Sequence, residues 1–160
     1  MERDEARLRD YAERAAAILT TAGFPRMPSR VLFTLTVAET GLTAAELAER
    51  LDASAAAISG AVRYLQGMAM VRRVSQPGSR RDVYELPDNA WYSAGMSEQR
   101  FYASMLSLTE GIPDAAGGPD TAVGARIVEM AGFFDFLRQR LPELLAEWES
   151  VRRPPSPSDR

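Results

Sequence analysis

Two helix-start signals, Thr43 and Ser54, stand eleven residues apart, which leaves room between them for one short helix and a tight turn. Thr43-Ala44-Ala45-Glu46 fits a capping box, in which the threonine hydroxyl accepts from the glutamate amide and the carboxylate accepts from the threonine amide. The pattern predicts a helix from there to about Arg50, a link at Leu51-Asp52-Ala53, and a second helix capped by Ser54. Ile58, Val62 and Leu65 give this second helix, about 54–66, one apolar face before Gly67 closes it. Beyond Gly67 the period turns from helical to alternating. Met70, Arg72 and Val74 lead to Pro77-Gly78, which suits the middle of a type II turn, and Val83, Tyr84 and Leu86 return. A hairpin over about 70–86 with a basic tip is expected.

The flanks read as helices. Leu8, Tyr11, Ala15, Ile18 and Ala22 form an apolar stripe on a helix over roughly 3–22, ended by Gly23-Phe24-Pro25. Pro28 suits the first turn of the next helix, where Val31, Leu32, Leu35 and Ala38 repeat until Thr40-Gly41. A further helix from Asp88 carries Trp91, Phe101, Met105, Leu108 and Ile112 as far as the turn formers at 113–119. Asp120 is the expected cap of the last helix. There Ile127, Met130, Phe134, Leu137, Leu141, Leu144 and Trp148 step alternately by three and four, with Pro142 placed to kink or divide the helix. The tail from 151 lacks apolar anchors and is expected to be disordered. The expected fold is mainly α with a small β-hairpin wing, a winged helix-turn-helix at 27–87. Helices at 1–26 and 88–150 serve dimerisation, and 151–160 is the tail.

Composition removes much chemistry. The chain has no Cys and no His, and all nineteen positive charges are Arg. That excludes a thiolate nucleophile, an imidazole base, the usual zinc ligand sets, a Schiff base and a Walker lysine. Glu143, Glu147 and Glu149 are spaced as a solvated helix face, and no serine sits in a nucleophile elbow. No enzyme is read here, and neither a cofactor nor a metal is called for. No apolar run reaches membrane length, and the charged start Met1-Glu2-Arg3-Asp4-Glu5 does not resemble an export signal, so a cytoplasmic protein with no membrane partner is expected.

The net charge of −3 is unevenly spread: residues 87–150 hold four Arg against ten acids, whereas 72–81 holds four Arg and no acid. With a Debye length of about 10 Å, such a basic segment acts locally. At 100° per residue, turning Ile58, Val62 and Leu65 inward turns Ala56, Ser59, Gly60 and Arg63 outward. A helix without bulk fits deep in a DNA major groove, leaving Ser59 and Arg63 to reach base edges or phosphates. Ser54 caps a helix N-terminus that favours a phosphate. Arg72, Arg73, Arg80 and Arg81 suit the backbone or a narrow minor groove, with Asp82 placed to hold one of them.

These residues also carry a resemblance. Gly23-Phe24-Pro25-Arg26-Met27-Pro28, Leu42-Thr43-Ala44-Ala45-Glu46-Leu47-Ala48 and Pro77-Gly78-Ser79-Arg80-Arg81-Asp82 are similar to actinobacterial MarR-type regulators, nearest the GbsR-like branch, and the likeness spans 8–150. It implies a homodimeric winged-helix transcriptional regulator that dimerises by its terminal helices. It also implies DNA-facing positions at Ser54, Ser59, Arg63, Arg80 and Arg81. Many MarR wings carry Asp before Arg as D-x-R; here Arg80 and Arg81 precede Asp82.

Leu8, Tyr11 and Ile18, with Ile127, Phe134, Leu137, Leu141, Leu144 and Trp148, need apolar partners. A second copy supplies them, or the helices pack on each other within one chain. In a dimer, recognition helices about 34 Å apart read a pseudo-palindromic double-stranded operator. Trp91, Tyr92, Phe101 and Tyr102, with Phe133, Phe134 and Phe136, are enough aromatics to line an apolar pocket or a cation cage for a small-molecule effector, or simply to pack a core. The resemblance adds that some GbsR-like members sense choline-like compounds. The competing reading of the whole is a winged-helix protein interaction module without sequence-specific DNA binding.

Overall fold

The computed structural model describes residues 3–75, 81–88 and 90–152, with 93–100 described by backbone alone. Its elements run α1 (Glu5–Thr21), α2 (Arg26–Thr36), β1 (Leu42–Thr43), α3 (Ala44–Leu51), α4 (Ala55–Gly67), β2 (Arg72–Ser75), β3 (Asp82–Glu85), α5 (Ala90–Thr109), α6 (Ile112–Ala115) and α7 (Ala122–Arg152). Two compact units result, Met1–Ala94 and Gly95–Arg160, with the boundary inside α5. The fold is mainly helical with one small antiparallel sheet, and the expected helix-turn-helix and hairpin occupy the first unit.

The core of the first unit is built by α2, α3 and α4. Val31, Leu32 and Leu35 meet Leu47, Leu51, Ile58, Val62 and Leu65, all nearly without solvent exposure, and Met70 and Val71 close it beneath the sheet. Strand order is β1-β3-β2. Leu42 and Thr43 pair with Tyr84 and Val83, and β2 pairs with β3 in the register Arg72 to Glu85 through Ser75 to Asp82. The first strand was not expected: two residues are too few to show alternation, and they read as the approach to a helix cap. Gly41 eases the close approach to β3, because a Cβ there would lie 3.0 Å from Val83 Cγ2 and 3.1 Å from the Tyr84 carbonyl oxygen, and these neighbours would have to give way.

Four helices end in the same way. In α1 the Phe24 amide donates to Leu19 O and the Gly23 amide to Thr20 O, the paired bonds of a Schellman turn. The same pair closes α3 around Asp52, α4 around Ala69 and α6 around Gly117, and each of these pivots has positive φ. Gly67, read as the closing residue of α4, is instead its last helical residue, and Ala69 takes the left-handed position at φ +56°.

Other boundaries also differ from expectation. Helix α2 stops at Thr36, so Ala38 follows it. Its Val37 and Ala38 amides are closed by Phe33 and Leu35 carbonyls. In α1 the buried residues are Ala12 and Ala16, small enough to let α1 approach α2 closely, whereas Tyr11 and Ile18 of the expected stripe stay 52% and 73% exposed.

In the second unit, α5 ends at Thr109 and Ile112 starts the separate helix α6, with a proline in its first turn. The cap of α7 is Thr121, not Asp120: its hydroxyl accepts from the Gly124 amide at 3.0 Å. A Cβ on Gly124 would stand 2.0 Å from Gly118 O, so glycine lets α7 start directly against the preceding turn. Helix α7 runs unbroken through Pro142. The expected tail lies outside the described residues from 153 onward.

An alanine in the left-handed region costs about 1 to 2 kcal/mol that glycine avoids. Ala69→Gly is therefore expected to raise stability by about 1 kcal/mol. The check is a higher urea midpoint at unchanged slope.

Candidate nucleic-acid interface

Helix α4 presents two unlike faces. Ile58, Ala61, Val62 and Leu65 are buried, while Ser54, Ala55, Ala56, Ser59, Gly60, Arg63, Tyr64, Gln66 and Gly67 are exposed. The structure thus brings the five expected residues of this helix to one surface. The Ser54 hydroxyl accepts from the Ala57 amide at 3.2 Å, so the cap is made. Arg63 is the only charged residue of α4 and has no ion-pair partner among the described residues. Ala55, Tyr64 and Gln66 belong to the same surface and were missed. A full helical wheel would have placed them there. The Tyr64 ring also stands edge-on to Phe24, centroids 5.4 Å apart.

The preceding helix is held by the predicted capping box. Thr43 Oγ1 accepts from the Glu46 amide at 3.2 Å and the Thr43 amide donates to Glu46 Oε2 at 2.7 Å. These bonds to Thr43, with Arg50 and Arg81 nearby, hold the Glu46 carboxyl below its ordinary range.

In the hairpin, two arginines are already partnered. Arg72 Nε donates to Glu85 Oε1 at 2.7 Å, directly across the ladder. Arg73 pairs with Asp82, the acid expected to steady a wing arginine, and Asp82 also accepts from Ser75 Oγ at 2.8 Å. The Arg73 and Ser75 bonds push the Asp82 carboxyl down, and Asp82 pushes the Arg73 guanidinium up. The segment without an acid in sequence therefore faces two acids in space. Arg81 is exposed, and its charge reaches Glu46 at the start of α3. Arg80 lies outside the described residues, as do Pro77 and Gly78.

The expected aromatic pocket is distributed over both units. Phe101, Tyr102 and Phe134 form a cluster with centroids 5.6 to 5.8 Å apart, and Phe133 stands 6.2 Å from Phe134. Trp91 belongs to the first unit, where it packs on Phe33 at 5.5 Å, and Tyr92 follows it there. Along α7, Ile127, Phe134, Leu137 and Leu141 are partly covered, whereas Leu144 and Trp148 are about half exposed. Among the described residues no carboxylate group has the arrangement of a metal site, and no helix is long and apolar enough to cross a membrane.

This arrangement of capped helices, slim outer face and arginine-bearing hairpin defines a winged helix-turn-helix. Two family models match in tandem: residues 22–82 match the MarR family and residues 89–151 match MmpR5-like MarR family transcriptional regulators. The two matches name one family and together take in most of the sequence. By these matches the chain is similar to the MarR family of winged-helix transcriptional regulators along most of its length. A solved structure described as a transcriptional regulator is 22% identical and has a TM-score of 0.79, over 89% of this chain and 98% of that one, a likeness of fold. The adhesin competence repressor AdcR from Streptococcus pyogenes is 21% identical over 71% of this chain and 82% of its own, with a TM-score of 0.40. No curated protein matches the chain.

Asp82 bears on pH. With its folded pKa lowered, the carboxylate contributes stability above its ordinary range and loses it as pH falls through the depressed value. Asp82→Asn is expected to shrink the acid-induced loss of stability, measured as the difference in melting temperature between neutral buffer and buffer acidic enough to fall below the ordinary aspartate range.

Proposed function

We propose that the chain is a homodimeric, sequence-specific DNA-binding regulator, with α4 in the major groove and the hairpin on the backbone or minor groove. One observation carries this reading. Gly60 sits in the middle of α4, fully outward, with nothing within 4 Å of where its Cβ would be. A glycine in an exposed helix interior costs about 1 kcal/mol against alanine. Nothing inside the protein asks for it, so the demand for a slim surface comes from what lies against the helix.

In this reading Ala56, Ser59 and Gly60 admit α4 to the groove, Ser54 leaves a helix N-terminus for a phosphate, and Arg63 reads a base edge. Arg72, Arg73, Arg80 and Arg81 face phosphates. Dimerisation uses Leu8, Tyr11 and Ile18 of α1 and the α7 seam from Ile127 to Trp148, a view supported by the exposure of Tyr11, Ile18, Leu144 and Trp148 in the single chain. A small-molecule effector belongs at the cluster of Phe101, Tyr102, Phe133 and Phe134. The likeness of residues 23–28 and 42–48 to GbsR-like regulators makes an organic cation the first compound to test there. An effector acts only by favouring one spacing of the recognition helices.

Selection of bound duplexes from random DNA at two salt concentrations tests the reading. A pseudo-palindrome is expected; binding without sequence preference would favour the protein interaction module instead. Gly60→Leu is expected to fold at least as stably as the parent, since leucine is the better helix former, and to lose specific binding. Arg63→Ala is expected to cost about 1 to 3 kcal/mol and to relax selection at one base pair per half-site. Arg81→Ala should lower the slope of log K against log salt by about one. For the dimer, Leu141→Glu is expected to give a monomer by solution mass at micromolar concentration while the helical content of the first unit persists.

A further inference from the structure

From the middle of α2, Arg30 reaches both neighbouring helices. Its Nε and Nη2 face the Glu13 carboxylate on α1 at 2.8 to 3.3 Å, and its Nη1 donates to the Leu51 carbonyl at the end of α3 at 3.1 Å. The Arg30 side chain is only 21% exposed, which shields its bond to the Leu51 carbonyl from competing water, while the Glu13 carboxylate, 48% exposed, keeps a face in solvent. Leu51 O is one of the carbonyls that a helix end leaves without an intrahelical donor. The Ala48 and Glu49 carbonyls are closed by the Ala53 and Asp52 amides, and Arg30 adds a donor to this end of α3 from a different helix. Three residues beyond Leu51 stands Ser54, the cap of α4.

We infer that Arg30 is a positioning residue for DNA recognition: held by Glu13 and holding the Leu51 carbonyl, it fixes the angle at which the turn 52–54 presents α4 and carries any displacement of α1 to that helix. The inference rests on the proposed function, in which α1 belongs to the dimer interface. At 100° per residue Glu13 falls on a different side of α1 from Tyr11 and Ile18, so the helix can hold a partner copy and Arg30 at once. The forked guanidinium is essential to the bridge. Lysine offers one ammonium, which keeps the charge and cannot span a carboxylate and a carbonyl in this geometry.

Operators that differ only in half-site separation provide the test. The parent protein is expected to prefer one separation sharply. Glu13→Ala and Arg30→Lys are expected to lose about 10-fold of that preference. Glu13→Gln, which still accepts from Arg30, should keep most of it. Electrostatic attraction works against this result, because Glu13→Ala makes the protein less acidic and by charge alone would tighten binding to every operator. An unchanged separation preference in both Glu13→Ala and Arg30→Lys would overturn the inference and leave Arg30 with a stabilising role only. Amide hydrogen exchange at 52–57 in the free protein reads the bridge without DNA: faster exchange in Glu13→Ala supports it, and unchanged exchange overturns it. A parent protein indifferent to sequence and separation, with faster exchange in the variant, would remove the DNA reading and leave the bridge standing.

Discussion

The packing of Ile58, Ala61, Val62 and Leu65 against Val31, Leu32 and Leu35 decides what α4 shows to the outside. Burying a large aliphatic side chain contributes about 1.5 to 3 kcal/mol. The inner face therefore outweighs a poor outer face that includes Gly60, which costs roughly 1 kcal/mol in the helix interior, and Gly67 at its last position. A helix selected for its own stability would carry alanine, lysine or glutamate at those positions. This one keeps its stability on one side and its slimness on the other, and rotation by one residue would bury Ser59 and expose Ile58. The core thus fixes which residues of α4 are exposed without being exposed itself.

The connections carry that orientation onward. A Schellman turn puts two amides on two orphan carbonyls and reverses the chain within a few residues, usually with an apolar contact across the turn. At the end of α4 the residues concerned are Leu65 and Met70, both buried, and two residues later β2 begins. The hairpin is therefore placed by the same core that orients α4. At the end of α3 the turn around Asp52 leaves two residues before α4 starts. Ala69 shows what the geometry costs: a non-glycine residue is held left-handed because the core on both sides allows no other path.

What the sequence made legible was local. A threonine three residues before a glutamate, or a serine before an apolar repeat, fixes hydrogen bonds within one turn, and both caps of the helix-turn-helix formed as read. What depended on partners distant in sequence was not legible. On α1 two apolar stripes overlap, and periodicity alone chose the one containing Tyr11 and Ile18, whereas close approach to α2 selected Ala12 and Ala16. Asp120 and Thr121 are adjacent capping residues, and only the start of α7 against Gly118 favours the threonine. Grouping Trp91 with Phe101 by position on one helix missed Phe33, which comes from α2 and claims the tryptophan ring. Chemistry-bearing residues were found where they sit on a helix face, and their partners were lost where a strand register supplies them.

The hairpin shows why that register matters. A two-residue turn centred on Pro77-Gly78 would set Arg72 opposite Val83 and Arg73 opposite Asp82, leaving Arg72 without an acid across the ladder. The observed register instead sets Arg72 opposite Glu85 and Asp82 diagonal to Arg73. An arginine held by a carboxylate is aimed and keeps its charge, but it meets a phosphate only by sharing or exchanging its partner, and the acid nearby offsets part of the attraction. Such a hairpin displaces fewer counterions than its count of arginines implies. In the proposed function, on a protein whose net charge is −3, attraction to DNA would then depend less on the wing and more on how closely α4 enters the groove. The small residues of α4 and the paired arginines of the hairpin are two sides of one arrangement, in which fit carries what charge does not.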